Sequence, residues 1–173
     1  MSRRSWFWTI PLEPIGKGRP RFSTRGGRAR VYTPSKTRVW EALAAWHLGL
    51  GWAAPPLDEP LVLEVLAVFE RPKRLLRKDS PAGRIPHTVK PDNDNCEKVV
   101  ADSLVKAGVV RDDCLFCDGG TRKVYAAHGE DPHVEVTVRT IDDEQRSVDE
   151  MLDAAEGEIN KALESRRRRG LTP

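Results

Sequence analysis

The sequence predicts an α+β domain in which a mixed β-sheet is flanked by helices, followed by a helical C-terminal extension. Residues 61–69 form a nearly continuous apolar run, which is typical of a buried central strand. Stretches with helical periodicity precede and follow this run, and alternating segments further along the chain predict more strands. A chain of 173 residues is long enough for one such domain with an appendage.

The N-terminal part of the domain is predicted to hold two strands and one helix. Residues 5–12, rich in aromatic and β-branched side chains, predict the first strand, and residues 28–32 predict a second after a glycine- and arginine-rich loop. Thr33-Pro34 is typical of a helix start, and Gly49 and Gly51 end the helix. Four apolar side chains recur there at helical spacing, namely Val39, Leu43, Trp46 and Leu50. We expect Trp40 and Trp46 to pack in the core or in a dimer interface.

The middle of the chain holds a long loop and a second helix. Residues 71–91 contain four prolines and show no periodicity, and loops of this length in a compact domain are usually functional or disordered. A helix is predicted over 95–107, with Asn93 or Asp94 as its cap and Gly108 as its stop.

The last part of the domain is predicted to be β-structure. Val109-Val110 resembles a short strand, and residues 115–127 and 133–141 predict a hairpin whose turn spans residues 128–132. These elements place the domain at residues 1–141. The remaining residues, 142–173, predict a helical extension with one apolar stripe and a basic end.

Composition excludes several classes of protein. Charged residues make up 32% of the chain, and no apolar run approaches the ~20 residues that a membrane span requires. The start of the chain does not resemble a signal peptide, so we expect a cytoplasmic protein without membrane attachment. Three cysteines, an odd number, argue against a disulfide framework.

Charge is distributed unevenly along the chain. Residues 1–40 contain ten basic residues and one acidic residue, a balance of +9, whereas the whole chain carries only +3. A second basic stretch runs from Arg71 to Lys90, and acidic residues gather between Asp92 and Asp118. Basic flanks around an acidic centre fit a polyanion held by its backbone, although solvated loops are an equally simple interpretation.

The acidic centre has the composition of a Mg²⁺ site. Asp92 and Asp94 precede the second helix, Lys98 lies on its first turn, and Asp112-Asp113 follows it. If the helix packs antiparallel to its flanking strands, Asp113 can approach Asp94, and carboxylates gathered in this way need a hard cation among them. The pattern therefore predicts metal-dependent phosphoryl transfer, with a structural cluster or a Ca²⁺-type turn as the alternative.

Four stretches resemble the RusA family of Holliday-junction resolvases, endonucleases of bacteria and their phages. Residues 17–22, Lys-Gly-Arg-Pro-Arg-Phe, are similar to its N-terminal K-x-R-P-R-F element, and residues 32–36 resemble its Y-T-P-x-K helix start. Residues 90–98 resemble its K-P-D-x-D-N-x-x-K signature, and residues 99–113 resemble its helix, glycine and paired-aspartate segment. The resemblance covers roughly residues 9–141.

The resemblance implies a homodimer that cuts two symmetrically placed strands of a four-way DNA junction. It implies that Asp92, Asp94 and Asp113 bind Mg²⁺ and that Lys98 is the catalytic lysine, while Asp112 is a possible metal ligand or outer-shell residue. Phosphate contacts are predicted for basic residues of the N-terminal segment, the signature and the following strand, namely Lys17, Arg19, Arg21, Arg28, Lys36, Lys90 and Lys123. The chain departs from the family pattern at residues 114–120, and its tail lies outside the resemblance.

Two other functions remain open from the sequence, and a third, a cysteine-based zinc module, is disfavoured. The chain could bind branched DNA without cutting it, or it could be a metal-dependent nuclease that acts on flaps or single strands. Cys114 and Cys117 have the spacing of half a zinc site, but a second close pair of ligands is missing, so we expect inert thiols.

Overall fold

The computed structural model describes residues 4–24, 30–77 and 79–141, together with residues 155–157, 159 and 161. Ser5–Thr140 forms one compact unit, and Met1–Arg4 with Ile141–Pro173 forms another. The predicted extension over 142–173 lies almost wholly outside the described residues; those described within it are helical.

The compact unit contains a mixed sheet, a small two-stranded ribbon and two helices, which confirms the predicted α+β class. The strands and helices are β1 (Ser5–Ile10), β2 (Arg21–Ser23), β3 (Arg30–Tyr32), α1 (Ser35–Gly49), β4 (Leu61–Phe69), β5 (Ile85–Pro86), α2 (Asn93–Lys106), β6 (Phe116–Tyr125) and β7 (His133–Thr140). None of the helices in the described part of the chain has the length and apolar character that a membrane crossing requires.

β4 is the central strand of the five-stranded sheet, as its apolar run predicts. The order of strands is β1-β7-β4-β6-β5. β4 pairs with β7 antiparallel and with β6 parallel, from Val62 opposite Asp118 to Phe69 opposite Tyr125. The predicted hairpin of β6 and β7 is therefore wrong, because β4 lies between these two strands and takes hydrogen bonds from both.

The core lies between one face of the sheet and the two helices. Leu61, Leu63 and Val65 of β4 point to this face and are at most 3% exposed, and β7 contributes alternate valines. α1 contacts α2 and β1, while α2 contacts β4 and β6. Each large apolar side chain buried in this way contributes roughly 1.5–3 kcal/mol. This packing fixes where α2 begins, and hence where the acidic cluster lies.

α1 presents a face to the core that differs from the predicted one. Trp40 and the small residues Ala44 and Ala45 are buried together with Leu48, so Trp40 is a core residue as expected. The stripe at the predicted spacing is instead exposed: Val39 58%, Leu43 45%, Trp46 60% and Leu50 55%. Two alanines let the helix approach its neighbours closely on the buried side, and that close approach leaves the bulkier stripe outside.

Several predicted boundaries move by one or two residues. α1 starts at Ser35, with Pro34 at the cap position instead of Thr33. α2 starts at Asn93, so Asp92 is its cap residue and Asp94 lies inside its first turn. Gly108, with φ of 71°, ends α2 as predicted. Val109-Val110 forms no strand; Val110 makes only an isolated bridge with Leu57.

Candidate active site

The start of α2 brings the signature residues to the surface of the domain. Asp92 occupies the cap position in extended conformation, and Asp94 lies one turn before Lys98 on the same side of the helix. All three side chains are exposed. The N-terminus of a helix carries a partial positive charge, which favours carboxylates and phosphate groups at this place.

β6 holds the signature loop in position. The ammonium group of Lys123 donates hydrogen bonds to the carbonyls of Val89, at 2.8 Å, and Pro91, at 2.5 Å. The side-chain amide of Asn93 donates to the carbonyl of Thr121 at 2.9 Å. Two residues of one strand therefore fix both ends of the Lys90-Pro91-Asp92 turn, which contains a cis Lys90–Pro91 peptide bond.

The N-terminal loop lies directly against this turn. A Cβ atom on Gly16 would lie 2.6 Å from the Cβ of Pro91, so only glycine permits this close approach. The backbone N–H of Lys17 donates to the carbonyl of Asn95 at 2.8 Å. Two stretches that are more than seventy residues apart in the sequence thus meet at the start of α2.

An open groove of about 550 Å³ runs between these two stretches. Its lining combines basic side chains from the N-terminal loop and the signature with one of the predicted metal ligands. The residues are Gly16, Lys17, Arg19, Lys90, Pro91, Asp92 and Asn95. A groove with lysine and arginine on its walls and a carboxylate at the helix start suits a phosphodiester backbone.

Lys98 forms ion pairs with two carboxylates. Its ammonium group donates to Asp113 and lies 3.2 Å from Oδ1 of Asp102. The hydrogen bond to Asp113 is the main reason why the pKa of Lys98 is raised above its usual value, and the pair with Asp102 adds to this effect although partial burial opposes it. Lys98 is therefore protonated at neutral pH and can stabilise negative charge or donate a proton.

Asp112 has a local role in the turn that carries Asp113. Its carboxylate accepts the backbone N–H of Cys114 at 2.9 Å and caps the short 3₁₀ turn Asp113–Leu115. This backbone hydrogen bond lowers the pKa of Asp112. This hydrogen bond explains why a charged residue stands next to Asp113. The possible role of Asp112 at the metal stays a prediction.

The chemistry of the three predicted ligands fits a hard cation, but they do not form a ready cluster. Within the described part of the chain, no three His, Cys, Asp or Glu side chains form a group that could hold a metal ion. Asp113 is paired with Lys98, so a positive charge already neutralises one of the three carboxylates. Carboxylates on exposed turns are the oxygen donors that Mg²⁺ takes in proteins, and the metal-binding role of Asp92, Asp94 and Asp113 stays a prediction.

Lys17 has protein partners that the sequence pattern did not indicate. Its ammonium group lies 2.5 Å from Oε1 of Glu41 and also pairs with Asp102. Burial lowers the pKa of Lys17, but the hydrogen bonds to Asp102 and Glu41 outweigh it and raise the pKa overall. No spacing in the sequence indicates the contacts of Lys17. The one ion pair of this group that spacing indicates is Lys98 with Asp102, four residues apart on one helix.

Some basic side chains of the second basic stretch bind other groups of the protein, and others are exposed to solvent. Arg71 is buried, and its guanidinium donates to the carbonyls of Ala126, at 2.7 Å, and Pro81, at 2.6 Å, and to that of Gly83. Arg84 pairs with Glu130 and Glu135 beside β7. Other basic residues of the stretch are exposed, namely Lys73, Arg74, Arg77 and Lys90. Of the predicted DNA contacts, Arg28 and the side chain of Arg21 lie outside the described residues.

The cysteines are all free thiols. Cys96 is buried, and this burial raises its pKa to about 11, whereas Cys114 and Cys117 are exposed. Cys117 lies at the bulge of β6, where its register with β4 shifts. From Asp118 onward the pairing is regular, so the departure from the family pattern leaves Lys123 opposite Ala67 and pointing to the signature loop.

The chain is similar to known proteins over most of its length. A family model described as "Endodeoxyribonuclease RusA" matches residues 11–139, which include the whole groove and the Lys98–Asp113 pair. "Uncharacterized protein YqaN" of Bacillus subtilis (strain 168) is 28% identical over 139 residues, which cover 78% of this chain and 95% of that protein.

Proposed function

Because the chain belongs to the RusA endodeoxyribonuclease family, we propose that it is a Mg²⁺-dependent nuclease that resolves four-way DNA junctions by paired symmetric nicks. Such an enzyme would serve DNA recombination and repair in the cytoplasm. The observation that carries the proposal is the groove at the start of α2, where basic side chains from both basic regions lie beside Asp92.

The metal role is assigned to Asp92, Asp94 and Asp113. Asp92 and Asp94 lie within one turn of the start of α2. Asp113 forms an ion pair with Lys98, which lies on the same side of that helix as Asp94. A Mg²⁺ ion held there would supply positive charge at the phosphate under attack. For Asp113 to join the other two, its carboxylate must release Lys98 when DNA and metal bind.

Lys98 is assigned to the scissile phosphate or to the leaving oxygen. The hydrogen bonds to Asp113 and Asp102 raise the pKa of Lys98, and the pair with Asp102 still favours the charged ammonium group when Asp113 leaves. Once Asp113 turns to the cation, the ammonium is free to neutralise charge on the phosphate or to protonate the leaving oxygen. Its side chain is 52% exposed, so a DNA strand in the groove can reach it.

Phosphate contacts of the junction arms are assigned to exposed basic residues around the groove. Arg19, Lys36 and Lys90 are exposed and lie on the N-terminal loop, on α1 and on the signature turn. Arg21 and Arg28 belong to the same proposal from the sequence. The sequence also predicts contacts for Lys17 and Lys123, but their ammonium groups already have protein partners, so the proposal assigns phosphate contacts first to the exposed residues.

The proposed homodimer is supported by an apolar surface in the region of β2, β3 and α1. Of the eleven large apolar side chains that are exposed in the described residues, seven lie between residues 22 and 50. On α1, Val39, Leu43 and Trp46 are spaced four and three residues apart, which is the spacing of a coiled-coil seam, and Leu50 follows directly after the helix. The β2–β3 ribbon has only two strands, and such ribbons are marginally stable unless something covers them. A second copy, related by a two-fold axis, would place the same stripe against itself.

The substrate is tested by incubating the purified protein with a labelled four-way junction, a flap and a linear duplex, each with Mg²⁺ and with EDTA. We expect symmetric nicks in the junction, only with Mg²⁺, and much slower cutting of the duplex. Binding of the junction without cutting under all conditions would instead support the branched-DNA-binding alternative. Preferred cutting of the flap would support the other nuclease alternative.

A further inference from the structure

Five charged side chains form a continuous row of alternating sign that ends at the candidate active site. From the interior outward they are Glu41, Lys17, Asp102, Lys98 and Asp113. They come from α1, the N-terminal loop, α2 and the turn after α2. Side-chain exposure is lowest at Glu41, at 12%, and highest at Lys98, at 52%.

Asp102 is the link between the two lysines. Its Oδ2 atom pairs with Lys17, and its Oδ1 atom lies 3.2 Å from Lys98, so each carboxylate oxygen serves one ammonium group. On a helix, an acidic residue four positions before a basic residue stabilises more than the reverse order, and here Lys98 precedes Asp102. The pair therefore adds little to the stability of the helix. Its position beside Asp113 indicates a role at the candidate active site instead.

Lys17 is held too firmly to be an ordinary phosphate contact. Its ammonium group has two carboxylate partners, and its side chain is only 27% exposed. A phosphate would have to compete with Glu41 and Asp102, whose negative charges repel it. Exposed lysines such as Lys36 and Lys90 meet no such obstacle in the structure.

We propose that Asp102 and Lys17, anchored by Glu41, are positioning residues that hold Lys98 at the scissile phosphate. When Asp113 releases Lys98, the pair with Asp102 keeps the ammonium group beside the groove instead of letting it move into solvent. Lys17 fixes the carboxylate of Asp102, and Glu41 fixes Lys17. This inference rests on the proposed nuclease function and assigns a role to three residues beyond its catalytic set.

The first test separates positioning from DNA binding. Asp102→Asn and Lys17→Met are each expected to lower kcat on saturating junction DNA by about 10- to 100-fold, the usual effect of losing an outer-shell partner. Loss of a phosphate contact would reduce the slope of log Kd against log salt by about 1. We expect this slope to be unchanged in Lys17→Met and reduced in Lys36→Met, which serves as the control for a phosphate contact. A reduced slope with an unchanged kcat in Lys17→Met would overturn the proposal.

The second test asks whether the two residues act through one path. The double variant Lys17→Met/Asp102→Asn should lose little more kcat than Asp102→Asn alone, because both changes remove the same support of Lys98. Independent, multiplicative losses would contradict the inference. Lys17→Arg should restore most of the activity, since a guanidinium group can also bridge two carboxylates. If Lys17→Met fails to fold, the arginine variant and Glu41→Gln provide the same comparison.

A third measurement is independent of cleavage. Asp113 also pairs with Lys98, so the measurement is made in an Asp113→Asn background. Ion pairing protects the amine of Lys98 from reductive methylation, so peptide mass spectrometry should show faster methylation of Lys98 in Asp113→Asn/Asp102→Asn than in Asp113→Asn alone. Lys106, which is exposed on the same helix, provides the internal reference. An unchanged rate at Lys98 would overturn the inference. If the wild type cut no DNA at all, the proposed function would fail while this readout still reported on the ion pairs.

Discussion

The guanidinium of Arg71 is enclosed by backbone carbonyls from two parts of the chain. Two of these, at Pro81 and Gly83, belong to the long loop after β4, and the third, at Ala126, follows β6. The side chain is 5% exposed, so a basic residue that the sequence places in a DNA-binding stretch has a structural task here. Arg71 therefore ties the loop that leads to the signature turn to the end of β6, in addition to the pairing of β5 with β6.

Replacing Arg71 by methionine should lower the free energy of unfolding by about 2–4 kcal/mol, because three carbonyls lose a charged donor in a buried place. Chemical denaturation measures this change. Arg74→Ala, in the same loop but exposed, is the matched control and should change stability by less than about 0.5 kcal/mol. Equal stability of the two variants would show that the Arg71 contacts do not hold the loop.

The sequence draws attention to the signature residues, but it does not indicate their partners. The spacing of Asp92, Asp94 and Lys98 stands out by itself, whereas the choice of Asp113 over Asp112 comes from the family resemblance. Glu41 does not stand out, because it lies 24 residues from Lys17 and nothing local indicates that they meet. Long-range ion pairs depend on how α1 and α2 pack, and that packing is set by the buried alanines and valines.

β6 has a bulge near its start and pairs regularly with β4 from Asp118 onward. Gly119 has φ of 126°, and a Cβ atom at this position would lie 1.9 Å from the carbonyl oxygen of Leu63. Only glycine fits there, two residues after the bulge at Cys117. Further along the strand, Thr121 and Lys123 support the signature loop.

Gly119→Ala should therefore destabilise the fold by about 3 kcal/mol or more, since both the backbone conformation and the contact with Leu63 forbid a side chain. Gly120→Ala is the matched control, because a Cβ atom there meets open space, and should cost less than about 1 kcal/mol. Thermal unfolding of both variants provides the measurement. Similar melting temperatures for the two would contradict the assigned geometry.

At the level of strands and helices, β4 and α2 were predictable and the sheet order was not. The unbroken apolar run of β4 indicates burial on both faces, and the glycine after α2 marks its end. The pairing of β6 with β7 was expected because they are neighbours in sequence and both alternate in polarity. No feature of the sequence near β6 or β7 indicates that β4, the more apolar strand, lies between them.

The exposed stripe on α1 bears on the assembly of the whole molecule. If it is the dimer interface, the double variant Leu43→Asp/Trp46→Asp should be monomeric, because four charges would be buried against one another across the two-fold axis. Sedimentation velocity gives the mass in solution. Lys106→Glu, a charge reversal on exposed α2 surface, should remain dimeric. A monomeric wild type, or a double variant that still dimerises, would contradict this interface.

The chain belongs to an endodeoxyribonuclease family, and we propose that its basic groove leads a DNA strand past the start of α2. The most direct test of this claim compares Asp94→Asn with the wild type on a labelled four-way junction with Mg²⁺. We expect the cleavage rate to fall by more than about 100-fold, which exceeds the loss typical of a residue that only supports a metal ligand. The Kd for the junction should change by less than about threefold. Cleavage by Asp94→Asn at the wild-type rate would contradict the account, because the carboxylate at this position would then have no part in the chemistry.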